Sequence, residues 1–452
     1  MFKIKTITLS LLALLLVMSF ASCASDTTSD LPLPSKDMKA YLQVKVTVEG
    51  SGDTRASRAD KGPDGGEDGD GSEQGINKEN DVNSLTVLLY KSVKDDLSDD
   101  NAIIDYVYTF TNLNKVTTSS GSDATYTTVP REIDASIVGK NYHVIVIANA
   151  DDMTSRCKGK ISEVRDLQMS KVCTRDADIT NFSNFIMSSK TDAMIDFTKE
   201  GSETDPYVVD VNIERLAARI DIIPNATFDG TSHGYYYNVM DGTNVIGGFK
   251  LESVTPTKVM TKGEYLIKRV SSDKDVSSVT YFGLEEMDAT TKASTNYVVC
   301  PWTKVRTGLT LSNAEGPASL YNVKNTTSTS TTDPSYILDY VMENTTTDNA
   351  ETYSTGLVFK GKYYEAEDWD AAKKEPITGH ESKGKDKAYT YVIRHSDPTG
   401  NGTTNDIMHY GIVRNNIYRV RIDGITGKGP DGMKVTLHVR KWATYTHDET
   451  TM

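Results

Sequence analysis

Two stretches near opposite ends of the chain alternate apolar and polar residues with period two, a pattern that suits a strand and not a helix. In the first, Ala40, Leu42, Val44, Val46 and Val48 alternate with Tyr41, Gln43, Lys45 and Thr47. In the second, Met433, Val435, Leu437 and Val439 alternate with Lys434, Thr436 and His438. Each lays an apolar row on one face, and such a row is half of a core. Between the first stretch and the rest of the chain runs Gly50 to Asn80, with Arg55, Arg58 and Asp64-Gly65-Gly66-Glu67-Asp68-Gly69-Asp70-Gly71 but no apolar periodicity. It reads as a loop open to proteases. Two strands of one kind, one of them separable at an arginine, would compete for one kind of groove. The first would fill it within its own molecule and the last in a neighbour, which is the pattern of a polymer subunit.

The 452 residues suffice for two or three domains with sizeable cores and no need of disulfides. A formal net charge of -14 argues against nucleic acid or an anionic membrane surface as partner of the folded part. The N-terminus reads as a targeting segment over residues 1–22: Lys3 and Lys5 precede an apolar run from Ile7 to Val17, and Phe20-Ala21-Ser22-Cys23 follows. Small residues ahead of Cys23 are what a bacterial lipobox needs for thiol lipidation, with Phe20 departing from the usual aliphatic residue. The alternative is an ordinary signal peptide with a chance cysteine. Beyond it no run approaches the ~20 apolar residues of a membrane span, so the membrane would be held through lipid alone. Residues 23–37, rich in Ser, Thr, Asp and Pro, have the composition of a tether.

From Val82 onward the chain is a series of β-like runs bounded by Gly, Asn, Asp or Ser, among them Leu85 to Tyr90, Ala102 to Phe110, Tyr142 to Ala148 and Tyr207 to Val211. His143 to Asn149 is nearly continuous in apolar residues, as for a strand buried on both faces. Ile161, Val164 and Leu167 suggest a short amphipathic helix, and Phe182 to Met187 a turn of another. Glu214 to Ile223 reads as one strand stopped by Pro224, where a domain boundary is expected. Runs resume at Gly248 to Val254, Tyr297 to Cys300, Gly356 to Tyr364, Tyr389 to Arg394, Ile417 to Ile422 and Met433 to Val439. The expected fold is all-β with minor helix, two sandwich-like domains in tandem over 56–224 and 225–452.

Five segments taken together resemble a family: Leu85 to Tyr90, Gly139 to Asn149, Glu214 to Arg219, Val413-Arg414-Asn415-Asn416-Ile417-Tyr418, and Val435 to Trp442. Each is a weak motif alone. In this order, with a lipobox and a downstream arginine site, the set resembles the fimbrillins of the Bacteroidetes-type (type V) pilus, specifically the shaft subunit of the short fimbria. The resemblance implies two tandem transthyretin-like β-sandwich domains and a lipoprotein precursor carried to the outer membrane. There a trypsin-like protease cuts after Arg55 or Arg58 and removes segment 38–55. The emptied groove would take the C-terminal region 433–452 of another copy in an extracellular fimbria that serves adhesion to a host or bacterial surface. Met433, Val435, Leu437, Val439 and Trp442 would be the donor side chains, with Trp442 as terminal anchor. Other partners would be accessory pilus subunits. Two alternatives stand beside this reading: a non-polymerising surface lipoprotein that binds glycan or host protein, and an anchor or tip subunit of the same pilus.

No catalytic constellation accompanies these features. The seven histidines are scattered, His438 lies on the polar face of the last run, and no GxSxG, phosphate loop or dinucleotide fingerprint occurs. Neither a cofactor nor an enzymatic activity is expected. Asp68, Asp70, Ser72 and Glu79 occupy positions 1, 3, 5 and 12 of a calcium loop, but Glu73 stands where the sharp turn needs Gly, so no metal is expected either. Of the four cysteines, Cys157 and Cys173 bracket the short helix and can either pair or serve as small core residues, as Cys300 beside Pro301-Trp302 would.

Overall fold

A computed structural model describes residues 39–49, 72–75, 77–91, 101–116, 124–165, 167–175, 182–189, 193–197, 201–225, 235–260, 263–266, 297–298, 322–323, 335–344, 354–393 and 412–443. Runs rich in Val, Ile and Tyr become strands, because branched and aromatic side chains pack well on a pleated surface. They form two large sheets, each with its own apolar core, and together two sandwich-like domains. In the first sheet the neighbours are, in order, Leu113–Val116, Ala124–Thr128, Ala40–Val48, Tyr207–Arg215, Met187–Ser189, Asn141–Ala148, Leu85–Lys91, Ile103–Phe110 and Gly159–Lys160. The second runs Asn322–Val323, Ser335–Met342, Ala217–Ile223, Asn416–Thr426, Tyr235–Asp241, Asn244–Thr257, Gly356–Glu365 and Lys385–Val392, with Met433–Ala443 alongside Asn416–Thr426.

Position in the sheet explains the hydrophobic patterns. Asn141–Ala148 has strands on both sides and is buried at every residue after the first, which is why its sequence is a continuous apolar run. Tyr207–Arg215 alternates buried and exposed up to Asn212; Ile213, Glu214 and Arg215 are then all buried as the strand enters the space between the two sheets. The expected helix is present at Ile161–Arg165. The second expected helical turn is not. Phe182–Ser183 pairs with Thr174–Arg175, and Met187–Ser189 joins the first sheet. Asn184 between them takes φ 50°, a left-handed conformation that no right-handed helix accommodates.

Glu214 to Ile223 is likewise not one strand. Arg215 pairs with Met187 in the first sheet, whereas Ala217 pairs with Met342 in the second. The chain therefore changes sheets at Leu216, ahead of Pro224, and the Leu216 amide donates to the Ile186 carbonyl at 2.9 Å. Alternation alone cannot reveal such a crossing, since both halves are strands and both are buried. Each domain also pairs an early strand in parallel with a late one. Leu42 to Val48 lie against Tyr207 to Ile213, and Arg219 to Ile223 against Ile417 to Arg421.

Candidate functional site

The first strand, Ala40–Val48, is an interior strand of its sheet. One edge runs parallel to Tyr207–Arg215; the other is antiparallel to Ala124–Thr128 and Arg131–Ile133. Ala40, Leu42, Val44, Val46 and Val48 are all 0 % exposed. The opposite face is polar: Lys45 meets Asp210 at 2.9 Å, Lys39 meets Glu132 at 3.2 Å, and the Thr47 and Thr125 hydroxyls lie 3.3 Å apart. Full burial of aliphatic side chains is worth ~1.5–3 kcal/mol each, so the apolar row contributes on the order of 10 kcal/mol before entropy. Were this strand withdrawn, both neighbouring edges and the pockets for five side chains would stand open together.

The last strand, Met433–Ala443, follows a different plan. It pairs antiparallel with Asn416–Thr426 from Met433 to Lys441, and at its end Lys441 to Ala443 run parallel to Ser72 to Gln74. Met433, Val435, Leu437 and Val439 belong to the second core, and Trp442 is 0 % exposed. Within one chain this strand completes its own sheet, where the sequence reading assigns it to a neighbour's groove. Donation would therefore require it to leave.

Between the sheets lies a buried polar junction to which both strands connect. The Trp442 indole N–H donates to Glu79 Oε2 at 3.0 Å, and the Tyr340 hydroxyl donates to Glu79 Oε1. An Arg219 nitrogen stands 3.4 Å from the same carboxylate and pairs through Nε and Nη2 with Asp221 at 2.8 and 2.6 Å. Arg215 donates to the Glu79 carbonyl at 2.9 Å, to the Asn80 side chain, to Asn415 Oδ1 at 2.8 Å and to the Trp442 carbonyl at 3.4 Å; its guanidinium lies 4.6 Å over the Trp442 ring. Asn415, held at φ 60°, donates its side-chain amide to the Glu49 carbonyl at 3.1 Å, one residue past the first strand. Nearby, Arg414 Nε meets Glu343 at 3.2 Å. Glu79, Arg215, Arg219, Asp221 and Asn415 are 0 % exposed. Burial and the Glu79 carboxylate hold the Tyr340 phenol well above its usual pKa, so it remains a donor.

The sequence motifs Glu214 to Arg219 and Val413 to Tyr418 supply Arg215, Arg219 and Asn415, but nothing local marks them as partners. Arginines inside apolar strand-like runs, with Asp221 close by, were the available signal. The Glu79 carboxylate accepts from Trp442 and Tyr340 and faces Arg219, so protein donors surround it. Among the described residues no three His, Cys, Asp or Glu cluster as metal ligands. Cys157 and Cys173 are both buried, and no disulfide joins them. Burial raises the Cys157 thiol from its usual value to about 11. His438 is half-buried on the face of the last strand opposite its apolar row. Cys23, Arg55, Arg58, Asp68, Asp70 and Cys300, and residues 444–452 of the proposed donor region, lie outside the described residues. No described helix is long and apolar enough to cross a membrane.

Comparison with known proteins places this architecture. Residues 40–246 match the family model of the major fimbrial subunit protein FimA, and residues 383–447 match the C-terminal model of fimbrillin, major fimbrial subunit protein type IV. No curated protein sequence matches the chain. Among solved structures, the chain is similar to a fimbrillin (FimA) from Porphyromonas gingivalis W83, with 14% identity over 90% of this chain and 99% of the other at a TM-score of 0.41. It is similar to the tip fimbrial protein Mfa3 of Porphyromonas gingivalis, in a C-terminally truncated form, at 14% identity over 89% and 100% with a TM-score of 0.39. A candidate cell adhesion protein from Parabacteroides distasonis shows 16% identity over 90% and 98%, with a TM-score of 0.45. Two models of one family, matched in order on the first-sheet strands and on the last strand, carry the assignment: the chain belongs to the FimA/fimbrillin family of Bacteroidetes fimbriae, a non-enzymatic family of the cell surface.

Proposed function

We propose that this chain is a fimbrial subunit made as a lipoprotein precursor, lipidated at Cys23, cleaved after Arg55 or Arg58, and polymerised by exchange of strands. Segment 1–22 is its export signal, 23–37 its tether and 38–55 the removable part; 56–224 and 225–452 form the mature subunit. The observation that carries the reading is the seat of Ala40–Val48, an interior strand with partners on both edges and its whole apolar row buried. The covalent link between that strand and the rest contains Arg55 and Arg58. Its removal exposes a groove that accepts any strand of the same period and size. The last strand has that period in Met433, Val435, Leu437 and Val439. The precursor would sit at the outer membrane through lipid, and the cut subunit would enter an extracellular fimbria beside other copies and accessory subunits.

A second reading, an anchor or tip subunit, is favoured by the seating of the last strand in its own sheet. N-terminal sequencing of the surface-exposed protein, together with heat-stable ladders on gels, separates the readings. A start at residue 56 or 59 with ladders supports the shaft role. Retention of residues 23–55 supports an uncleaved anchor or a non-polymerising surface lipoprotein. A cleaved start without ladders supports a tip.

A further inference from the structure

Three parts of the chain meet at the junction that strand exchange would have to separate. Glu49 ends the first strand and is bonded by Asn415; Ser72 to Gln74 and Glu79 to Asn80 begin the chain beyond the arginine sites; Trp442 closes the last strand. Arg215 bonds Asn415, Glu79, Asn80 and Trp442 with a single guanidinium, so one buried side chain ties the second and third parts directly and reaches the first through Asn415. The packing is also tight. A Cβ placed on Gly75 would lie 2.5 Å from both the Glu79 carboxylate and the Trp442 indole nitrogen, so glycine is what lets them meet. Tyr340 stacks on the Trp442 ring at 5.8 Å while its hydroxyl bonds Glu79, and Phe185 meets the ring edge-on at 6.1 Å.

We infer that this junction is a latch, in which Glu79 and Arg215 hold Trp442 and so retain the last strand in its own sheet for as long as the end of the first strand is in place. The inference rests on the strand-exchange reading for its purpose, but the latch is a property of one molecule. Buried charged networks contribute little net stability against an apolar alternative, yet leaving one member without its partner is costly. They suit a two-state element better than a general brace. Loss of Glu49 takes away an acceptor from Asn415, which in turn orients against Arg215. Loss of the covalent path from Glu49 to Ser72 leaves the short strand that covers Lys441 to Ala443 tethered from one side only. Removal of the first strand would thus loosen the end of the last one, and subunits would release a donor only after processing.

Hydrogen exchange of the full-length precursor tests this. Gly75→Ala wedges the Glu79–Trp442 contact apart, Tyr340→Phe removes one bond to Glu79, Glu79→Gln removes the charge and Asn415→Ala cuts the link to Glu49. Each is expected to speed amide exchange at Lys441 to Ala443 by tenfold or more, with Gly356–Glu365, a strand of the second sheet away from the junction, unchanged as the internal reference. Glu79→Gln combined with Asn415→Ala is expected to be no faster than the faster single variant, since both open one latch. If Glu79→Gln fails to fold, the two milder substitutions Gly75→Ala and Tyr340→Phe decide. Unchanged exchange at Lys441 to Ala443 in folded Gly75→Ala and Tyr340→Phe overturns the latch, as does additive acceleration in the double variant. Ladder formation is read separately, on protein cleaved at Arg55 or Arg58. Fast exchange without ladders leaves the latch standing and removes the polymerisation reading, whereas normal ladders with unchanged exchange do the reverse.

Discussion

Asp221 accepts two bonds from Arg219 and faces Arg419 Nε at 3.6 Å, with all three side chains within 1 % of full burial. A carboxylate so placed is a shared counter-charge for two buried guanidinium groups. Asp221→Asn keeps the shape and deletes the charge, and it should lower unfolding free energy by ~3–5 kcal/mol, the cost of breaking a buried pair. The urea midpoint of the second domain is the measurement; a loss below ~1 kcal/mol would mean that the arginines find other partners. The buried thiols give a second prediction at this scale. Cys157 has a folded pKa of about 11, raised by burial, against a usual value near 9. A raised acid pKa means stability that is present below pH 9 and lost as pH rises toward 11, because the unfolded chain ionises first. Tyr389, pushed up to about 12 by burial, adds to the same alkaline loss. The urea midpoint should therefore hold to about pH 9 and fall above it, and iodoacetamide should label Cys157 at pH 7.5 only after denaturant is added.

The two alternating strands look interchangeable in sequence, and the sheets make them different elements. Ala40–Val48 is hydrogen-bonded on both edges, whereas Met433–Ala443 is paired along Asn416–Thr426 on one edge and by Ser72 to Gln74 only at the tip of the other. Alternation exposed the strands because each has one face on a core, and continuous apolar runs exposed the doubly buried ones. It could not tell which molecule a strand completes, since the same row fits either groove. Nor could it find the sheet change at Leu216 or the short strands Met187–Ser189 and Ala193–Asp196, whose three and four residues are too few for a period to show. The junction was least legible of all: Glu79, Tyr340 and Trp442 come from segments far apart in the chain, and a contact set by topology leaves no local pattern. The seat of the last strand fixes what substitution in it does. Val435→Asp with Leu437→Asp buries two charges in the second core and should lower the melting temperature of the precursor monomer as well as abolish ladders. Cleaved double variant should still accept a strand from intact subunits, because its first-domain groove is untouched. Failure to accept one would mean that the groove is not in the first domain.

For the whole molecule, the question is what a cut at Arg55 or Arg58 does before any neighbour arrives. The first strand is held by main-chain bonds on two edges and by an apolar row worth on the order of 10 kcal/mol before entropy, and none of those contacts involves the cut bond. Cleavage alone should therefore leave the strand seated. Trypsin-treated precursor should elute at its original size while denaturing gels show the N-terminal peptide as a separate fragment, and Arg55→Gln with Arg58→Gln should yield no such fragment. Release then depends on competition. If the strand must dissociate before another enters, the peptide will leave at a rate independent of subunit concentration. If an entering strand displaces it pocket by pocket, each lost contact is replaced as it breaks, and release will speed up with concentration. The second course is expected, because the parallel and antiparallel edges that flank the groove each offer a register to an incoming strand as residues peel away. Mass spectrometry of the free peptide against time, at subunit concentrations spanning about a hundredfold, measures this. A rate that stays flat over that range rejects displacement and makes departure of the first strand the step that limits growth of the fibre.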